Sequence, residues 1–242
     1  MRVDLLKLKK LLNLMINYNH TPKKVIAQST ARMLLDIGAV HVNAVKPFVL
    51  TSGSISPVYI DCRKLISFPR IRAALMSYSV SLLAEAVGIE YFDAVAGGET
   101  AGIPFAAFLS ERLALPMLYV RKKAKGFGRN AQIEGHLESG SKVLLVEDLA
   151  TDGGSKFMFA DALRNSGANC DHILVIFYYD LFADAQKKLT EHGLNLHYLA
   201  TWWDILTELK SSDRFDEKTV LTVEAFLNDP VGWSDTNIDK YS

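Results

Sequence analysis

Apolar positions along the chain alternate between short β-rich runs and longer stretches with helical spacing. Val25 to Ile37 repeats its apolar side chains at helical intervals and stops at Gly38, which predicts a helix. Phe48 to Leu50 and Val58 to Asp61 are β-rich runs around the turn Thr51-Ser52-Gly53-Ser54, which predicts a hairpin. Pro69 to Ala86 predicts a long helix, with Pro69 near its start where a missing amide costs little. Asp93 to Ala96 then predicts a strand ending in Gly97-Gly98, Ile103 to Leu113 a helix, and Pro116 to Val120 a strand. Eleven residues that suit neither element follow Val120. Lys142 to Val146 predicts a strand and Ser155 to Asn165 a helix, and His172 to Tyr179, Asp184 to His192 and Leu196 to Ala200 continue the rhythm.

Strands alternating with helices imply an α/β fold with a parallel sheet covered on both faces. In such sheets ligands sit beyond the carboxyl ends of the strands. That rule selects three loops: Gly97 to Gly102, Arg121 to Gly135, and Glu147 to Ser155. At the start of the chain, Leu5, Leu8, Leu11, Leu12 and Met15 have helical spacing, so residues 1–22 read as a helical extension packed on the domain or a partner subunit. They lack the apolar core and small-residue cleavage site of a signal peptide. Residues 23–200 read as the main domain and 201–242 as a helical tail packed on it.

Composition narrows the function classes. With 27 Lys plus Arg against 27 Asp plus Glu in 242 residues, the formal net charge is zero. Bulk attraction to nucleic acid or an anionic membrane is therefore not expected. Two cysteines, Cys62 and Cys170, make neither a disulfide framework nor a zinc knuckle, and a cytoplasmic setting is the expectation. No apolar run reaches the length of a membrane span.

The charges are unevenly spread. An apolar strand, Val143 to Val146, runs into Glu147-Asp148, then Leu149-Ala150, then Thr151-Asp152-Gly153-Gly154-Ser155 opening a helix. Glycine-freed amides, two hydroxyls and a helix N-terminus make a phosphate cradle. The lysine-bearing P-loop pattern is absent, and so is the dinucleotide fingerprint. Two carboxylates beside a phosphate would repel it, so they must face another part of the ligand, such as a sugar diol or bound magnesium. Arg121 to Arg129 carries five cations and no acid in nine residues, with Gly126 and Gly128 as hinges. It reads as a lid over a polyphosphate. Gly97-Gly98-Glu99-Thr100-Ala101-Gly102 also follows a strand and opens a helix, a second anion-receiving turn.

The segment from Val143 to Ser155 resembles the ribose-phosphate signature of type I phosphoribosyltransferases. Tyr119-Val120-Arg121-Lys122-Lys123 with Lys125, and the hairpin core Leu50-Thr51-Ser52-Gly53-Ser54-Ile55-Ser56-Pro57, are similar to the orotate phosphoribosyltransferases among them. The resemblance spans about Lys23 to Leu199. It implies the type I phosphoribosyltransferase fold: a central parallel sheet flanked by helices, an N-terminal hood hairpin and a mobile lid. It implies transfer of a phosphoribosyl group from phosphoribosyl pyrophosphate to orotate, giving orotidine 5-monophosphate and pyrophosphate in pyrimidine biosynthesis.

By the same resemblance, Glu147 and Asp148 hold the ribose hydroxyls, and Leu149, Ala150, Thr151, Asp152, Gly153, Gly154 and Ser155 wrap the 5-phosphate. Thr100, Ala101, Arg121, Lys122 and Lys125 meet the pyrophosphate, while Val58, Tyr59 and Thr151 line the orotate. Lys125 and Asp148 are the expected catalytic pair. Magnesium is the implied cofactor, held mainly by phosphoribosyl pyrophosphate rather than by protein side chains. A homodimer with the lid reaching into the neighbouring site is implied as well. Four positions depart from the family's pattern: Gly126-Phe127 replaces an Asp-His pair, Thr51 a lysine, Ala101 a lysine, and Leu181 the base-pocket arginine. Arg63 and Lys64 are basic candidates near the hairpin. The rival expectations are a phosphoribosyltransferase for another base, a non-catalytic regulator sensing phosphoribosyl pyrophosphate, and an interaction protein with a dead site.

Overall fold

The computed structural model describes residues 20–50, 53–124, 132–151 and 154–238. Helix α1 (Lys23–Asp36) buries Ile26, Thr30, Ala31 and Leu34, one stripe at helical spacing. Gly38 ends it at φ 63, its amide donating to the Leu35 carbonyl at 3.0 Å. That left-handed turn is glycine's ordinary role after a helix.

Four short strands follow: β1 (Val40–Val42), β2 (Phe48–Val49), β3 (Ile55–Ser56) and β4 (Val58–Ile60). Their pairing corrects the expected hairpin. Phe48 and Val49 pair with Ser56 and Ile55, whereas Val58 to Ile60 pair antiparallel with Val40 to Val42. Pro57 is the reason, because it has no amide to donate and so divides one apparent strand into two. The Ser56 hydroxyl covers the break, donating to the Val58 carbonyl at 2.7 Å. The expected strand missed its partner because Val40-His41-Val42 is too short to show a period.

A 3-10 helix (Cys62–Ser67) leads to α2 (Pro69–Ala86), with Pro69 in its first turn. Then come β5 (Ala94–Gly98), α3 (Gly102–Leu113), β6 (Met117–Val120) and β7 (Ile133–Glu134). The chain continues as β8 (Lys142–Ala150), α4 (Gly154–Asn165), β9 (Asn169–Tyr178), α5 (Ala183–Glu191) and β10 (Asn195–Thr201). Beyond β10 lie α6 (Trp202–Lys210), α7 (Glu217–Asn228) and α8 (Pro230–Asn237). The central sheet has the order β10-β9-β8-β5-β6-β7 and is parallel except for the edge strand β7.

Alternate residues of β8 separate two apolar layers. Leu144 and Val146 pack with Leu34, Leu75, Phe105 and Ile205, from α1, α2, α3 and α6. Val143 and Leu145 pack with Phe159, Leu163 and Leu189, from α4 and α5. Being covered on both faces, the strand is apolar from Val143 to Val146, up to its carboxylates. It also runs further than expected, through Glu147 and Asp148 to Ala150, because β9 still pairs with it there. From β5 the chain steps outward to β6, then returns to β5's other side as β8. That reversal opens a crevice at the carboxyl ends of β5 and β8.

Candidate functional site

The end of β5 is shaped by glycines. A Cβ on Gly97 would stand 2.7 Å from the Ile103 Cα, and one on Gly102 would stand 2.3 Å from the Val146 carbonyl oxygen. Only bare backbone lets α3 start so close to β8. The turn between them contains a cis Glu99–Thr100 peptide. The Glu99 carboxylate accepts from the Lys122 amide at 2.7 Å, and the Glu99 amide donates to the Val120 carbonyl at 2.9 Å. The Thr100-Ala101 turn is thereby fastened to the root of the cationic loop.

Glu147 and Asp148 are neighbours in sequence with different surroundings. The Glu147 carboxyl turns back under Gly98 and Gly102, only 6% of the residue is exposed, and Oε1 has no hydrogen-bond partner among the described residues. Burial pushes its pKa up to about 8, with Asp148 adding to the rise and Lys156, Lys122 and Arg63 opposing it. Asp148, 7% exposed, accepts from the Leu149 amide at 2.9 Å and lies 3.9 Å from the Arg63 guanidinium. Burial raises its pKa too, against the pull of Lys156, the Leu149 amide and Arg63.

Lys156 was not among the expected site residues. It sits in the first turn of α4, 8% exposed, with Nζ donating to the Ser155 hydroxyl at 3.3 Å. A helix N-terminus ordinarily favours an anion, so a cation there has to be held by something stronger. Its charge acts on both Glu147 and Asp148, opposing the rise in their pKa values, and a lysine directly after Gly-Gly-Ser was the available signal. Leu149 and Ala150 end β8, Thr151 follows, and Gly154 and Ser155 are exposed at the start of α4. Asp152 and Gly153 lie outside the described residues.

Both roots of the cationic loop are tied together. The Arg121 amide donates to the Gln132 carbonyl at 2.8 Å, and the Gln132 side chain returns a bond to the Arg121 carbonyl at 2.9 Å. The Arg121 guanidinium pairs with Glu134 at 3.3 Å. Lys122 is exposed, whereas Lys125, Phe127 and Arg129 lie outside the described residues.

On the strands preceding the 3-10 helix, the rings of His41, Phe48 and Tyr59 form a triangle with centroids 5.9 to 6.4 Å apart. Tyr59 is 43% exposed. Val58, 2% exposed, packs into the core, and its amide donates to the Ser56 hydroxyl at 3.2 Å. Lys64 is occupied by the Gly38 carbonyl at 3.1 Å, which leaves Arg63 as the basic group of this segment facing the acids. Thr51 lies outside the described residues. Three or more His, Cys, Asp or Glu side chains do not converge in a metal-holding cluster among the described residues.

A family model for the phosphoribosyl transferase domain matches residues 69–192. An orotate phosphoribosyltransferase of Roseobacter denitrificans is 59% identical over 223 residues, covering 92% of this chain and 99% of that protein. One from Cereibacter sphaeroides is 58% identical over 221 residues, covering 91% and 95%. Among solved structures, the orotate phosphoribosyltransferase of Aeropyrum pernix superimposes with TM-score 0.61 at 36% identity, covering 75% of this chain and 98% of that one. The chain belongs to the orotate phosphoribosyltransferase family. The UMP synthase of Leishmania donovani shares the fold over 83% of this chain and 42% of its own, at TM-score 0.71 and 27% identity.

For an orotate phosphoribosyltransferase, the placement of the departures matters. Ala101 is buried and offers the turn only its backbone. Leu181 packs against the apolar core and carries no charge toward the crevice.

Proposed function

We propose that the chain transfers the phosphoribosyl group of phosphoribosyl pyrophosphate to N1 of orotate, giving orotidine 5-monophosphate and pyrophosphate, a step of pyrimidine nucleotide synthesis. The observation that supports the reading is at the carboxyl end of β8, where the sheet order reverses: buried Glu147 and Asp148, with Arg63 3.9 Å from Asp148, precede the start of α4. The C1–O bond breaks with its electron pair leaving on pyrophosphate, and N1 of deprotonated orotate forms the new bond. Positive charge grows on the ribose and negative charge on the leaving group. Positioning and charge balance are what the protein must supply.

Asp148 and Glu147 bind the ribose diol, and Asp148 favours the electron-poor ring. Leu149 to Ser155 hold the 5-phosphate at the positive end of α4, where Ser155 is exposed to receive it. Thr100, Ala101, Arg121 and Lys122 bind pyrophosphate, and Lys125 from the lid stabilises its departure. Tyr59, Val58 and Thr151 line the base. The oxygen donors of Asp148 and Glu147 suit magnesium through the ribose hydroxyls or water, with the ion held chiefly by the substrate. Magnesium, when bound, neutralises pyrophosphate charge. We further assign a cytoplasmic homodimer in which the lid of one subunit reaches the other's site.

Orotate consumption with phosphoribosyl pyrophosphate and magnesium tests this reading. Turnover with uracil or a purine and none with orotate would reject it. Specific DNA retention at physiological salt without turnover would favour a regulator.

A further inference from the structure

Arg63 is the second residue of the 3-10 helix, and the backbone beneath it is pinned. Its neighbours Cys62 and Leu65 are buried in the core layer that holds Leu144 and Val146 of β8. The Asp61 carboxylate accepts from the Arg63 amide at 3.1 Å, and the Asp61 amide donates to the Ala39 carbonyl at 2.8 Å. Lys64, the next residue, spends its ammonium on the Gly38 carbonyl. A fixed stem thus carries one uncommitted guanidinium toward the end of β8.

Arg63 Nε stands 3.9 Å from Asp148 Oδ2, within ion-pair range and beyond hydrogen-bond reach. The other oxygen of the acid already accepts from the Leu149 amide. The pair is lopsided, with the acid's side chain 11% exposed and the arginine's 68%. An ion pair open to solvent and lacking a hydrogen bond is worth little by itself. A guanidinium has five N–H donors and no acceptor, so Arg63 keeps donors for a ligand while it stays beside Asp148.

Orotate bears its carboxylate on the ring carbon next to N1, the atom that bonds the ribose. The carboxylate therefore lies on the ribose side of the base, close to the acid that holds the ribose hydroxyls. Two anions brought together there repel unless a cation stands between them. Leu181 carries none, and Lys156 is buried at the start of α4 against Ser155.

We propose that Arg63 recognises the orotate carboxylate, reaching it from the 3-10 helix while remaining paired with Asp148. The inference rests on orotate being the acceptor substrate. The planar fork of a guanidinium matches a carboxylate through two parallel hydrogen bonds, which a lysine cannot reproduce.

Orotidine 5-monophosphate and uridine 5-monophosphate differ only in that carboxylate, so calorimetric titration of the enzyme with each isolates its contribution. Arg63→Gln is expected to weaken orotidine 5-monophosphate binding roughly ten- to a hundred-fold. Uridine 5-monophosphate binding and the melting temperature are expected to stay within error of wild type. Arg63→Lys keeps the charge without the fork and should recover part of the loss. Equal weakening of both nucleotides would overturn the assignment, marking Arg63 as a support for Asp148 at the ribose. Unchanged binding of both would overturn it too. Wild-type enzyme that ignores orotate would reject the proposed function itself, so the two failures are separable.

Discussion

The Oε1 oxygen of Glu147 lies 2.0 Å from the point where a Cβ on Gly98 would stand. The Phe159 ring is 2.5 Å from the same point, so the last residue of β5 is pressed from two directions. Glycine is needed there for close approach, since its φ lies outside the left-handed region. Gly98→Ala must displace either the carboxyl or the ring. Overpacking of this kind costs about 1–3 kcal/mol. The expected result is a lower melting temperature together with lost turnover, read by thermal denaturation and steady-state kinetics. A variant with wild-type values of both would show that Glu147 moves freely from beneath the strand.

Ligand-free Glu147 gives stability a pH dependence. Its folded pKa is raised from an ordinary 4.5 to about 8, so the folded state retains a proton that the unfolded chain releases. The contribution is fully present below pH 4.5 and is lost as pH rises through about 8. Asp148 shifts in the same direction and adds to the trend. Glu147→Gln is neutral at every pH and escapes the loss. It should match wild type near pH 5 and exceed it by roughly 2–4 kcal/mol near pH 9. The same variant should be a poor enzyme, since an amide cannot accept from the ribose diol as a carboxylate does. Denaturant unfolding at several pH values decides it. A wild-type stability that climbs from pH 6 to 8, with the climb abolished by Glu147→Gln, would contradict the burial argument.

Much of this arrangement was legible because it is local. The alternation of strands with helices yields the parallel sheet, and Gly97-Gly98, Arg121 and Glu147-Asp148 all fall at carboxyl ends of its strands. What escaped depends on long-range partners. Val40 to Val42 becomes a strand only because Val58 to Ile60 pairs with it. Lys156 reads as an ordinary surface lysine until the carboxylates of β8 are folded beside it. The hold of the last helix on the hood is likewise invisible, because its two ends lie 179 residues apart.

Removing Lys156 tests whether the two carboxylates share one counter-charge. Lysine is the largest charge opposing the rise in both acids' pKa values. Lys156→Met keeps the buried stem and deletes the ammonium. Removing the ammonium takes away charge that favours the ionised acids, so the cost grows where they ionise. The variant should therefore lose stability most above pH 7, where the acids ionise, and bind phosphoribosyl pyrophosphate more weakly. Calorimetric titration with phosphoribosyl pyrophosphate and melts at pH 6 and 9 provide the readouts. Equal destabilisation at both pH values would point to packing alone.

Ser234 of α8 accepts a hydrogen bond from the Ile55 amide at 3.0 Å, and both residues are buried. That amide belongs to the two-residue strand β3, which has little else to hold it. Asp229 caps α8 by accepting from the Gly232 amide at 2.9 Å, and Trp233 packs on Phe226 at 5.6 Å, so the acceptor is carried on a fixed support. A buried amide left unpaired costs about 1–3 kcal/mol, more than so short a strand can absorb. Ser234→Ala should therefore loosen β2 and β3 without disturbing the central sheet, whose strands pair among themselves. The expected signature is faster hydrogen exchange at Ile55 and a several-fold higher KM for orotate, with KM for phosphoribosyl pyrophosphate near wild type. Ser234→Thr keeps the hydroxyl and should restore much of the loss. Unchanged exchange at Ile55 in Ser234→Ala would mean that the hood is held by its own pairing, and the last helix would then have no part in shaping the base pocket.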